Sequence, residues 1–416
     1  MVSKIISILE YIMAICIVIN TNTVWSNDSR FDNLILIFLV FIIVISILLS
    51  INIILNKKYF FKEILFIICI FVYNLGYVLL SNDKDNIKRY IIIFILFLIL
   101  LIIYYFSKSI KGKKYDLLIK ISNVIVILSI ISLFFYIFGT ILGKLNPNSN
   151  TLLNWGNERY IPNYYNLYYE TQQIEINGML IFRNTGIFTE APMFSFALSI
   201  ALIIKLFFDN KKNRLSIFIL SITIFTTFST TGVVIILLAF LMRWMFKNSK
   251  KDLSKIIKIS IIPVAMIISI FIFMFFYTNK QQTDSYSIRM DDYIVALKAW
   301  SEHPIVGNGF GTISNQIMKY TNVSRPNYGG SSGFNSIISD GGIYMSLMYF
   351  TPFIVMLIYS LKNKNRNKTI AICLFLLLLV TTSVSYRGIM INLLAIMWSE
   401  TFELLVGKKE YSKEYY

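Results

Sequence analysis

Residues 90–106 read YIIIFILFLILLIIYYF, an uninterrupted apolar run bracketed by Lys88 and Arg89 on one side and Lys108 on the other. A helix apolar on every face is either buried in a large core or set in lipid. A run of this length approaches what is needed to cross a hydrocarbon layer about 30 Å thick. Similar runs occupy 5–19, 34–55, 60–80 and 117–142, and then 191–208, 215–228, 232–246, 259–277, 343–361, 369–386 and 389–406. The expectation is an all-α, polytopic membrane helix bundle of about twelve transmembrane helices, a single integral membrane domain over 1–416. Two long outer loops, 143–190 and 278–342, interrupt the spans and are expected to contain short helices.

Composition supports this reading. The chain is 56% hydrophobic and 15% charged, well outside the range of soluble domains. Its formal net charge of +17 does not point to nucleic acid. With both termini inside, most of the 39 Lys and Arg residues fall in short cytoplasmic loops such as 108–114, 243–258 and 362–368, as the positive-inside rule requires. That sidedness places both long loops on the outer face, where neither ATP nor cytosolic nucleotide sugars are available. Cys16, Cys69 and Cys373 lie in apolar runs and read as small hydrophobes. The first apolar run has no small-residue cleavage site after it and is taken as an uncleaved helix. Heavy use of Ile, Asn and Lys suggests a bacterium with an AT-rich genome, and hence the bacterial cytoplasmic membrane.

Long structured loops on a membrane protein usually carry its chemistry. In the first, Phe182-Arg183-Asn184-Thr185-Gly186-Ile187-Phe188-Thr189-Glu190-Ala191-Pro192 precedes the sixth span. A guanidinium donates paired hydrogen bonds to phosphate oxygens, so Arg183 suits a lipid-linked pyrophosphate; the alternative is an arginine that snorkels to the headgroups. Glu190 is a candidate general base, or a carboxylate placed to meet the dipole of the next helix.

In the second loop, residues 286–302 carry Met290, Tyr293, Ile294, Ala296, Leu297 and Trp300 at helical spacing. This describes an amphipathic helix on the bilayer or the bundle. Arg289 stands at its start. His303, the only histidine in the chain, follows it and is either structural or a proton carrier. Asn335 and Asp340 stand at the entrance to the tenth span and either cap it or face the outer interface. Arg387, in the turn before the last span, is a third candidate cation. Asp83-Lys84-Asp85 reads as a solvated charged turn, and no metal or other cofactor is assigned. Gly307-Asn308-Gly309-Phe310-Gly311 follows no strand, so a tight turn is expected there and not a dinucleotide loop.

Arg289, Trp300, His303-Pro304-Ile305-Val306-Gly307-Asn308-Gly309-Phe310-Gly311, Phe334-Asn335-Ser336-Ile337-Ile338 and Asp340-Gly341-Gly342-Ile343 resemble the signature region of the O-antigen polymerase and ligase superfamily. The 182–192 segment is similar to the other outer motif of those proteins. The resemblance implies a membrane glycosyltransferase acting on undecaprenyl-pyrophosphate-linked oligosaccharides on the outer face of the cytoplasmic membrane, with Arg183 and Arg289 holding pyrophosphate. It implies membrane lipid as partner, together with a flippase and a chain-length regulator. The ligases carry a functional histidine just before the position of Asn335, where this chain has Gly333 and Phe334. That departure favours a Wzy-type polymerase, making capsule, O-antigen or another exopolysaccharide, over a ligase-type transfer to another acceptor. A flippase or transporter of the same lipid-linked oligosaccharide is the rival from another class. The acceptor hydroxyl would pass its proton to Glu190, His303 or Asp340, in that order of preference. Arg183, Arg289, Arg387, Asn335 and Trp300 would bind substrate, and no metal would be required.

Overall fold

The computed structural model describes residues 2–55, 60–110, 112–155, 157–176, 179–209, 213–246, 284–321 and 328–406. Its apolar runs are helical. α1 (Val2–Ile19), α2 (Ser29–Leu48), α3 (Phe60–Leu80), α4 (Ile87–Ser109) and α5 (Asp116–Ile141) precede the first long loop. α6 (Ala191–Phe207), α7 (Arg214–Thr226) and α8 (Thr230–Phe246) follow it. The second loop holds α9 (Asp284–Glu302) and α10 (Ile313–Tyr320), and α11 (Gly333–Lys362), α12 (Arg366–Thr381) and α13 (Gly388–Leu405) complete the bundle. Among the described residues, seven helices are long and apolar enough to cross a membrane, while α6, α7 and α8 are shorter apolar helices. The expected span at 259–277 lies outside the described residues.

Two local expectations are corrected. Among the described residues the first loop carries strands and no short helix: β1 (Ser149–Trp155), β2 (Asn157–Tyr164) and β3 (Tyr168–Tyr169) form an antiparallel meander, and β4 (Gln173–Ile176) pairs with β5 (Met179–Phe182). Leu153, Ile161 and Tyr169 from the meander pack with Val24, and Tyr164 and Tyr168 pack on Phe135 and Tyr136 of α5. The sheet thus sits on the ends of α1 and α5. The second correction concerns α11, which begins at Gly333 and not at the apolar run from 343.

α11 is broken where the apolar run begins. Gly342 has φ 56° and ψ −151°, a conformation essentially reserved for glycine. The break frees two carbonyls and two amides, and the segment from Pro304 to Gly309 takes up all four. Asn308 and Gly309 donate their N–H groups to the carbonyls of Ser339 and Asp340, both at 3.0 Å; Ile343 and Tyr344 donate theirs to Pro304 and Ile305, both at 2.9 Å. Gly307, at φ 76°, has no room for a side chain, because a Cβ would lie 2.5 Å from the backbone of Asp340. The glycine-rich motif is therefore a tight turn, as expected, moulded onto a helix break.

α9 is amphipathic, but its small face is the one turned inward. Val295, Ala296 and Ala299 are buried with Asp292, while Met290, Ile294 and Leu297 are exposed. Small residues let α9 lie close on α11, which leaves the larger apolar side chains on its exposed face. At the end of the bundle away from the sheet, buried and half-buried lysines meet carboxylates. Lys108 and Lys120 both pair with Glu10, Lys114 with Glu403, Lys205 with Asp209, and Lys368 with Glu400. Buried charges are retained only when paired in this way.

Gly342→Ala is expected to destabilise the fold by at least about 3 kcal/mol, from the strained backbone and from a Cβ placed 2.6 Å from the Pro304 carbonyl oxygen. Thermal unfolding of the detergent-purified protein measures this. A variant as stable as the parent would show that the break tolerates a side chain.

Candidate functional site

At the sheet end of the bundle the helices part around a cavity of about 1540 Å³. Its wall takes in the start of α4, the β4–β5 hairpin, the start of α6, the α7–α8 turn, the start of α9, the glycine-rich turn, the first segment of α11 and the α12–α13 turn. Five of the candidate residues line it: Arg183, Glu190, Arg289, Asp340 and Arg387.

Arg183 follows β5 and is fixed in place. Its Nε donates to the Thr227 carbonyl (2.8 Å), Nη2 to the Phe228 carbonyl (3.3 Å) and Nη1 to the Gln172 side-chain oxygen (3.1 Å). The same Gln172 oxygen accepts from the Ala191 N–H at 3.3 Å, so one amide holds both the guanidinium and the start of α6. Burial pushes the Arg183 pKa down to about 10, Glu190 acts to raise it, and the charge of Arg289 lowers it further. The two arginines are therefore within electrostatic reach of one another. Arg289 is half-buried and has no hydrogen-bond or ion-pair partner among the described residues. It is placed by the next turn of α9, where the Asp292 carboxylate accepts the Ser331 N–H at 2.9 Å.

Glu190 is the N-cap residue of α6, yet its side chain makes no capping hydrogen bond. The carboxylate instead accepts from the Trp155 indole N–H at 2.5 Å. Its side chain and the indole both line the cavity, so the sheet missed in the sequence positions the carboxylate nearest Arg183.

Asp340 is fully buried. Its Oδ2 accepts from the Gly311 N–H at 3.1 Å and the Tyr386 hydroxyl at 2.9 Å, and its Oδ1 lies 3.4 Å from the Thr312 hydroxyl. It is a bracket between the glycine-rich turn and the α12–α13 turn. Arg387 reaches Asp32 at 2.9 Å, and Arg89, which also lines the cavity, reaches the same carboxylate oxygen at 2.6 Å.

The remaining candidates lie elsewhere. His303 is exposed and Trp300 half-buried at the far end of α9; neither is in the lining, and the Trp300 indole donates to the Pro304 carbonyl at 3.0 Å. Asn335 is buried in the first segment of α11, outside the lining, with its amide nitrogen unpartnered among the described residues. Ser332, not Asn335 or Asp340, caps that helix. The sequence reading passed over Arg89, treated as part of a solvated turn, and Asp32, Gln172 and Trp155. A signal for Trp155 existed in the period-two spacing of Thr151, Leu153 and Trp155 before Gly156-Asn157.

Residues 215–350 match the model of a family described as O-Antigen ligase. The match is consistent with the O-antigen polymerase and ligase superfamily; it runs from α7 into α11 and includes Arg289, the glycine-rich turn and Asp340. No curated protein matches the chain. The family points to glycan transfer of the O-antigen ligase or polymerase type by a membrane glycosyltransferase-like enzyme, with lipid-linked glycan substrates.

Asp340→Ala is expected to cost about 2 kcal/mol by stranding the Gly311 N–H, whereas Tyr386 can turn to the Ser336 carbonyl at 3.2 Å. Asp340→Asn, whose amide oxygen can accept from both donors, should stay within about 1 kcal/mol of the parent. Thermal melts of the two variants distinguish this bracket from a carboxylate whose charge the fold requires.

Proposed function

We propose that this chain is a polysaccharide polymerase of the membrane, transferring a growing glycan from its undecaprenyl pyrophosphate to the non-reducing end of another lipid-linked repeat unit. The observation that carries this reading is the guanidinium of Arg289, without a partner among the described residues, in one cavity with the anchored Arg183 and with Glu190, both within electrostatic reach. The bond from the anomeric carbon to the diphosphate oxygen breaks as the acceptor oxygen bonds to that carbon. The acceptor proton passes to Glu190, and the diphosphate leaves with its negative charge on the two arginines. Cations held in place before reaction stabilise that charge without reorganisation, so the scheme requires no metal. Arg183 meets this condition through its three acceptors. Arg289 supplies donors that have no partner among the described residues.

Among the three candidate bases, Glu190 is favoured by geometry. Asp340 is occupied by its donors, and His303 lies outside the lining. The ligase alternative calls for a histidine before Asn335, where Gly333 and Phe334 stand. Against the transporter, Glu10, Lys120 and Lys205, the deep ionisable groups, are engaged in ion pairs away from the cavity. The long loops, the cavity and the reaction are assigned to the outer face of the bacterial cytoplasmic membrane, with both termini inside.

Purified protein supplied with lipid-linked repeat units on its accessible face is expected to build a ladder of longer glycans, and to do so in the presence of a chelator. A transporter would leave the units unjoined. Arg289→Lys should cut ladder formation about tenfold to a hundredfold, because an ammonium cannot reproduce paired donation to phosphate oxygens. Glu190→Gln should lower turnover about a hundredfold while tightening pyrophosphate binding, since it removes the negative charge beside Arg183. Ladder formation at the parent rate by Glu190→Gln would remove Glu190 from the mechanism.

A further inference from the structure

The cavity contains a second pair of guanidiniums, and its construction differs from that of a structural salt bridge. Asp32 of α2 is only 2% exposed. Its Oδ1 accepts from the Asn20 amide at 2.6 Å, and its Oδ2 accepts from both Arg89 (2.6 Å) and Arg387 (2.9 Å). Asn20 is itself oriented, because its side-chain oxygen accepts the Gly388 N–H at 2.9 Å. A single carboxylate thus holds two arginines and leaves a net positive charge. The other N–H groups of both guanidiniums have no partner among the described residues, and both side chains line the cavity.

The two arginine pairs are separate. Arg183 is held by Gln172 and by the Thr227 and Phe228 carbonyls after α7, whereas Arg89 and Arg387 are held by Asp32 of α2. The second group draws on the end of α1, the starts of α2 and α4, and the turn into α13. Four helix ends at one level place it where the headgroups of a bilayer would lie.

We infer that Arg89 and Arg387, held by Asp32 as a positioning residue, form a second diphosphate subsite, which takes the pyrophosphate of the acceptor while Arg183 and Arg289 take that of the donor. This rests on the polymerase reading, in which two lipid-linked substrates meet in one reaction and each enters carrying a diphosphate. Only the donor loses its lipid diphosphate; the acceptor must be held by its own until the new bond is made. The shared chemistry is a phosphate at headgroup depth, which an anionic phospholipid also offers.

The test is calorimetric titration of the purified full-length protein in detergent with inorganic pyrophosphate at low ionic strength. The parent is expected to bind two pyrophosphates. Arg89→Gln should weaken one of the two sites at least about tenfold and leave the other unchanged. Arg387→Gln should weaken the same site, and Arg289→Gln the other one. Arg89→Gln keeps the Arg387–Asp32 pair, so it guards against a variant that merely misfolds. A single site in the parent, or an Arg89→Gln variant that binds both pyrophosphates as the parent does, overturns the second subsite. Loss of the second site on Arg89→Gln with no effect of Arg289→Gln would instead remove the donor assignment and leave this subsite standing. Repeating the titration in nanodiscs separates the two sources of phosphate: a second site that pyrophosphate fills in phosphatidylcholine but not in phosphatidylglycerol belongs to a lipid headgroup, and the assignment to substrate falls.

Discussion

The exchange of backbone hydrogen bonds at the break in α11 is the constraint on which the candidate site depends. A helix interrupted inside a membrane protein leaves amides and carbonyls that lipid cannot satisfy. Here Pro304, Ile305, Asn308 and Gly309 supply the missing partners. The same contact fixes the depth of the glycine-rich turn, puts the Gly311 N–H against Asp340, and sets Phe310 edge-on to Phe94 and tilted against Tyr386. The aromatic wall of the cavity and its buried carboxylate therefore follow from one backbone event. Both Gly307 and Gly342 are needed because each meets the other's strand of backbone at closer than side-chain distance.

The cations around the cavity show two ways of holding a permanent positive charge near lipid. Arg183 is held by neutral carbonyl and amide oxygens, which orient it without cancelling its charge. Arg387 is held by a carboxylate shared with Arg89, which cancels half of the pair's charge while fixing its geometry. Burial depresses the pKa of both to about 10, and a guanidinium with that value remains protonated at neutral pH. An anion bound at either place would replace hydration lost on burial and so lower the cost of keeping the charges there.

Sequence reasoning recovered what is local. The described apolar runs are helices because their composition admits little else in lipid, and Arg183, Glu190 and Arg289, which stand at the ends of spans beside long polar segments, line one cavity. It failed where structure depends on pairing across the chain. The hairpins at 149–182 have short, weakly apolar strands, and the one local signal, the alternation of Thr151, Leu153 and Trp155, does not say which strand they pair with. Asp32, Arg89 and Arg387 are far apart in sequence and meet only through the packing of helix ends. Helical spacing alone left open whether α9 turns its apolar stripe to the bilayer or to the bundle; the small residues Ala296 and Ala299 are the ones buried. His303 drew notice as the lone histidine beside a motif, although the break in α11 holds the turn after it, not its imidazole.

α7 contains 13 residues, a length of about 20 Å against a hydrocarbon layer of about 30 Å. Its end and the turn after it, from Phe225 through Thr226 to Phe228, line the cavity beside Arg183. A helix shorter than the hydrocarbon layer is accommodated by local thinning of the bilayer or by flanking residues that reach its surface. Under the proposed function, the flank at α7 is where the lipid tail of a substrate would stay in the membrane while its charged end reaches Arg183.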